Sequence, residues 1–191
     1  MKATHKVWVE KNAYRIKGEF STIEANQPIR NEKGKLCGVT NPRRIVHMHS
    51  YGGEALFFQG LADGKIWGTR CDHPGCSDKG SIYLPFRIYC PDCLQKMKPV
   101  DLTAKAKKTA RIYSYIVTSR TGAFNTLKTP IRFIDVEIDG VVTILKSYQL
   151  NGEPAIGARV VPVFKIKPTY TITDLAWVAA GTKTAPRGYR F

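Results

Sequence analysis

Four of the five cysteines in this 191-residue chain form two close pairs, Cys71-x4-Cys76 and Cys90-x2-Cys93, with thirteen residues between them. Two short pairs joined by a loop of that length match a zinc ribbon. Each pair turns tightly enough to aim two thiolates at one point about 2.3 Å away, and the hairpin between them closes a tetrahedral site. The turn residues suit that path: Asp72, Pro74 and Gly75 lie in the first knuckle, Pro91 and Asp92 in the second. Two disulfides could use the same four residues, and a Cys-x2-Cys redox pair could use Cys90 and Cys93. The redox pair leaves Cys71 and Cys76 without a role. One structural zinc on Cys71, Cys76, Cys90 and Cys93 is therefore the expectation. His73 could replace one cysteine but reads as a loop residue, and Cys37 as a spare buried or half-buried thiol.

Charge points to an anionic partner. Thirty Lys and Arg against fifteen Asp and Glu leave a net +15. The strongest block, Lys96–Arg132, lies just after the cysteines and has Asp101 as its only acid. The apolar runs Val160–Phe164 and Leu175–Ala180 are far shorter than the ~18 residues of a membrane span. The first ten residues lack a signal-like apolar core, so a cytoplasmic, reducing location is expected.

Residues 1–53 read as an N-terminal extension, with Val7–Val9 and Tyr14–Phe20 as short strands and breakers at Pro28, Gly34, Gly38 and Pro42. Glu54–Ala62 has apolar residues at helical spacing, stopped by Asp63-Gly64. With the strand Lys65–Arg70 it leads into the ribbon, completing a segment 54–98. Strand-like runs follow at Thr109–Thr118, Ile131–Ile138, Val141–Tyr148, Arg159–Ile166 and Thr169–Thr173, the second and third joined by the hairpin signal Asp139-Gly140. Five short strands without a long helix between them predict a small β-barrel or sandwich over 99–173, with 174–191 as a tail. The fold class is thus mainly β. Core packing is the default for Leu175 and Trp177 in that tail.

This order of parts resembles the two-domain zinc-ribbon/OB-fold proteins that accompany thiolases and related acyl-CoA enzymes. The matching stretches are Phe57–Ile66, Leu84–Cys93, Ala110–Val117, Pro130–Val136 and Gly157–Phe164. Three features depart from the family pattern: the x4 spacing of the first knuckle, Phe86 where a second proline is common, and the long extension. The extension is similar to that of the small subunits of benzoylsuccinyl-CoA thiolases, which act in aromatic degradation. The resemblance implies a rubredoxin-like ribbon with structural zinc, a five-stranded OB-fold barrel, and a non-catalytic subunit beside a thiolase-like acyltransferase. It also implies coenzyme A or acyl-CoA near the interface. Arg87, Lys107, Lys108 and Arg111, with Lys128 and Arg132 behind them, are the candidate contacts for its phosphates.

Two other classes compete. A zinc-ribbon/OB-fold protein could bind single-stranded nucleic acid, with Tyr113, Tyr115, Phe124 and Phe133 stacking on bases inside the basic block. An enzyme needs a site, and the chain has no Gly-x-Ser-x-Gly elbow, His-Glu-x-x-His motif or glycine-rich phosphate loop. Cys37 with His47 or His49 is the one conceivable nucleophile–base pair. A four-thiolate zinc leaves no open position for water, so catalysis by this chain alone is not expected.

Overall fold

The computed structural model describes residues 6–11, 13–18, 21–45, 54–120 and 127–191, and the chain divides into two compact units, 1–49 and 50–191. The first unit is built of two-stranded ladders. β1 (Lys6–Glu10) pairs antiparallel with β2 (Ala13–Lys17). β3 (Ser21–Ile23) pairs with β6 (Arg43–Ile45), and between them β4 (Pro28–Arg30) pairs with β5 (Leu36–Val39). The tip is an Asx-type turn in which Asn31 Oδ1 accepts the N–H groups of Lys33 and Lys35, each at 3.0 Å. A two-stranded ladder has no second layer to cover it. Ile29, Leu36 and Val39 are accordingly half exposed, as is Trp8 in part. Cys37 is exposed as well, at the irregularity in the β4–β5 register. This corrects the expectation of a buried or half-buried thiol.

The second unit opens with α1 (Glu54–Ala62). Its end is a Schellman motif: Lys65 N–H donates to Gly60 O at 2.7 Å and Gly64 N–H to Leu61 O at 3.1 Å, with Gly64 at φ +76°. The chain then enters β7 (Trp67–Arg70), the centre of a three-stranded sheet between β8 (Ile82–Tyr83) and β9 (Lys98–Asp101). Gly68 is required there, since a Cβ would stand 2.8 Å from Tyr83 O and 2.6 Å from Leu102 Cδ1.

After β9 a short helix that no sequence signal announced, α2 (Thr103–Thr109), precedes the barrel. The barrel consists of β10 (Arg111–Thr118), β11 (Ile131–Glu137), β12 (Leu145–Gln149), β13 (Val160–Lys165) and β14 (Leu175–Ala179). Its order is β10-β11-β12-β14-β13, with β12 and β14 parallel. An antiparallel bridge between Arg111 and Arg159 and the bond from Val160 N–H to Ala110 O (3.1 Å) return β13 to β10. That connectivity is an OB-fold barrel, as the family resemblance implies. A short β15 (Tyr189–Arg190) adds to β13.

Three boundaries differ from expectation. Thr169–Thr173 is not a strand: the buried Asp174 carboxylate gathers the N–H groups of Thr169, Tyr170 and Thr171 into a turn ending in a single 3-10 turn. The fifth strand is instead Leu175–Ala179, inside the segment read as a tail, and Leu175 and Trp177 are fully buried in the barrel's own core. Val141–Ile144 is not part of β12, although Asp139-Gly140 does turn. Val142 N–H donates to Ile82 O at 2.8 Å, so this segment docks on β8 of the ribbon sheet.

One core serves ribbon and barrel together. Phe57, Leu61, Ile66, Leu84 and Leu102 pack in the same cluster as Ile112, Ile134, Val136, Phe164 and Trp177. A separate small cluster surrounds the cysteines with Tyr83 and Met97.

Candidate metal centre

β7 delivers Cys71 directly, because the strand ends at Arg70 and Cys71 exchanges backbone bonds with Gly80 and Ser81 (2.7 and 3.2 Å). The four-residue spacing to Cys76 is accommodated by a turn in which Cys76 N–H donates to His73 O at 3.2 Å. The second knuckle is a hairpin end: Tyr89 bridges Lys96, and Cys90 N–H donates to Gln95 O at 3.0 Å. These two turns face each other. The four Sγ atoms lie within 4.8 Å of one another, Cys71–Cys93 and Cys76–Cys90 each at 3.7 Å.

Geometry and donor set both fit a zinc ion. Four sulfurs at 2.3 Å in a tetrahedron stand about 3.8 Å apart, close to the Cys71–Cys93 and Cys76–Cys90 separations. Backbone N–H groups point at the sulfurs: His73 at Cys71, Asp78 at Cys76, Asp92 and Cys93 at Cys90. Such donors favour thiolate over thiol. At Cys90 they outweigh burial and hold the thiol below its ordinary value. At Cys76 burial dominates, with the nearby Asp92 adding to it, and the thiol is pushed well up. A divalent cation at the centre is what would offset that burial. Asp92 accepts from Ser77 Oγ at 2.8 Å, fixing the second knuckle against the first. Tyr83 packs in the cysteine cluster and donates to Asp78. His73 is exposed and outside the four-sulfur cluster.

The basic candidates do not converge on one place. Arg87 is on the ribbon, its guanidinium 5.6 Å from the Tyr83 ring centroid. Lys107 and Lys108 are exposed on α2, and Arg111 follows at the start of β10. Lys128 and Arg132 sit at the far end of the β10–β11 ladder, where Arg132 pairs with Val117. Six residues of strand separate Arg111 from Val117, about 20 Å. Charge spacing in a sequence does not reveal this, because a hairpin carries its two ends apart. Tyr113 and Tyr115 are 54% and 47% exposed on β10, Tyr113 at the irregularity in its register with β11, whereas Phe133 is half-buried in a second apolar cluster with Ile131 and Tyr148. Phe124, His47 and His49 lie outside the described residues.

Sequence reasoning missed Lys165 and Arg187, which line a pocket with Lys128 and Arg132. Isolated cations on different elements carry no sequence pattern that groups them. Among the described residues, no helix is long and apolar enough to cross a membrane.

No protein-family model matches the chain, and no curated protein matches it. Solved structures do. A DUF35-family protein of unknown function from Sulfolobus solfataricus aligns over 69% of this chain and 87% of its own, at 24% identity and a TM-score of 0.48. The Ltp2-ChsH2(DUF35) aldolase aligns over 70% of this chain and 97% of that chain, at 20% identity and a TM-score of 0.51. The second likeness is one of fold.

Proposed function

We propose that this chain is a non-catalytic zinc-ribbon/OB-fold subunit of a thiolase or thiolase-like acyl-CoA transferase complex, supporting assembly and acyl-CoA binding. The observation that carries the reading is the joining of a four-cysteine centre to an OB-fold barrel through one shared core. That architecture resembles the accessory proteins of acyl-CoA enzymes, and the fold is shared with a structure whose name couples a DUF35 protein to an aldolase. Zinc on Cys71, Cys76, Cys90 and Cys93 is structural in this reading, since four thiolates fill its coordination. The reactive residue of the complex then belongs to the partner. The resemblance to small subunits of benzoylsuccinyl-CoA thiolases makes that thiolysis the specific substrate proposal.

A second reading is single-stranded nucleic-acid binding, favoured by the exposed Tyr113 and Tyr115 of β10. Affinity purification of the tagged protein from its host, with nuclease treatment and mass spectrometry, separates the two. A thiolase or related acyl-CoA enzyme in near-equal amount supports the subunit reading. Nucleic acid lost on nuclease treatment, with no enzyme retained, replaces it with the second.

A further inference from the structure

We propose that the pocket of about 480 Å³ formed where β11, β12 and β13 meet the C-terminal segment binds a small organic phosphate. Lys128, Arg132, Lys165 and Arg187 line it from separate elements. Two of these cations are already compensated: Arg132 Nη2 lies 2.8 Å from Glu153, and Lys165 Nζ lies 3.5 Å from the buried Asp174. Lys128 and Arg187 have no acidic partner among the described residues, which leaves the pocket an excess of positive charge.

The wall is preorganised. Tyr148 donates to Thr173 O at 2.7 Å, so the proton between the two tyrosine hydroxyls, 2.8 Å apart, comes from Tyr189. Lys165 Nζ donates to Thr173 Oγ1 at 3.1 Å, which links β13 through the turn to β12 and β15. A site held in this way loses little freedom when a ligand enters.

The remaining lining selects an organic molecule over a bare ion. Ile131, Leu150 and Pro186 give an apolar side. Gln149, only 5% exposed, is held by its Nε2 donating to Asn151 O and forms part of the fixed wall. A second depression of about 460 Å³ shares Lys165, Arg187 and Tyr189 and adds Lys167, giving room for a longer ligand. A nucleic-acid strand fits less well. Tyr148 is buried and Tyr189 half-buried, so neither offers an open ring face for stacking. Every lining residue belongs to this chain, so binding here does not depend on the enzyme-partner reading.

The test is calorimetric titration of the full zinc-loaded chain with ADP and with pyrophosphate at low salt. ADP is expected to bind more tightly than pyrophosphate. Lys128→Glu and Arg187→Glu, both exposed positions, are each expected to weaken ADP roughly tenfold. The double variant Lys33→Glu/Lys35→Glu, at exposed positions of the first unit, is expected to leave it unchanged. Absence of binding by either probe overturns the proposal, and so does an equal loss from that control, which would reduce the effect to net charge. Displacement of ADP by an oligothymidylate that depends on the same two residues would overturn the small-molecule assignment.

Discussion

The buried residues that bear charge or sulfur decide what this fold tolerates. Cys90 has no solvent exposure and receives two backbone N–H groups, so a serine there gives a metal a weaker, harder ligand in a cage shaped for sulfur. Cys90→Ser is expected to lose zinc, from about one per chain to none, and to lower stability by several kcal/mol, since metal binding and folding are linked. Zinc content and thermal melting read this directly, and Cys37→Ser, at an exposed position, should change neither. Asp174 is the second such residue. Burial alone would raise its carboxyl, but Thr169 Oγ1 at 2.7 Å and the N–H groups of Thr169, Tyr170 and Thr171 outweigh burial and hold it below the ordinary value. A depressed folded value means that Asp174 stabilises fully above the unfolded carboxyl value, about 4, and that this is lost as pH falls through the folded value. Asp174→Ala is expected to cost about 3 kcal/mol at neutral pH. The gap from the parent should close on acidification below about pH 4, as followed by denaturant midpoints. A gap constant with pH would assign the loss to packing instead.

Between elements, the join of ribbon and barrel rests on backbone groups met by one side chain. Thr143 Oγ1 accepts from Leu84 N–H at 2.8 Å and donates to Leu84 O at 2.7 Å, replacing a strand partner at that point. Thr143→Val keeps the shape and strands both groups, so a loss of about 1–3 kcal/mol is expected in chemical denaturation, with Thr143→Ser largely restoring it. This join also marks the limit of what the sequence makes legible. Knuckle spacing located the cysteine centre, helical periodicity and Asp63-Gly64 located α1, and alternating β-branched runs located β10, β11 and β13, because each of those signals is local. Asp139-Gly140 is a true turn, yet the segment after it pairs with β8, more than fifty residues earlier, and no local pattern records that competition. The same holds at the fifth strand. Thr169–Thr173 has β composition, but one downstream aspartate folds it into a turn, and the continuous apolar run Leu175–Ala179, buried on both faces, takes the barrel position. Spacing in sequence hides the separation of the phosphate candidates in the same way: Arg111 and Arg132 lie in one basic block but at opposite ends of a hairpin about 20 Å long.

Across the whole molecule, the described hydrophobic cores belong to the second unit. The buried hydrophobic side chains, among the residues whose burial is described, run from Phe57 to Val178. The ladders of the first unit leave Ile29, Leu36 and Val39 half exposed, whereas the second unit holds the shared core and the cysteine centre. Hydrophobic burial is the dominant favourable term in folding, so the stability of the second unit rests on the core that it contains. A chain shortened to residues 50–191 is therefore expected to retain zinc at about one per chain and to melt within roughly 3 °C of the full protein. Thermal melting with metal analysis checks both. A fall well beyond that would mean that residues 1–49 cover apolar surface of the second unit. If melting is unchanged while recovery of an enzyme partner drops, the exposed side chains of the first unit belong to an interface, and the extension serves assembly rather than folding.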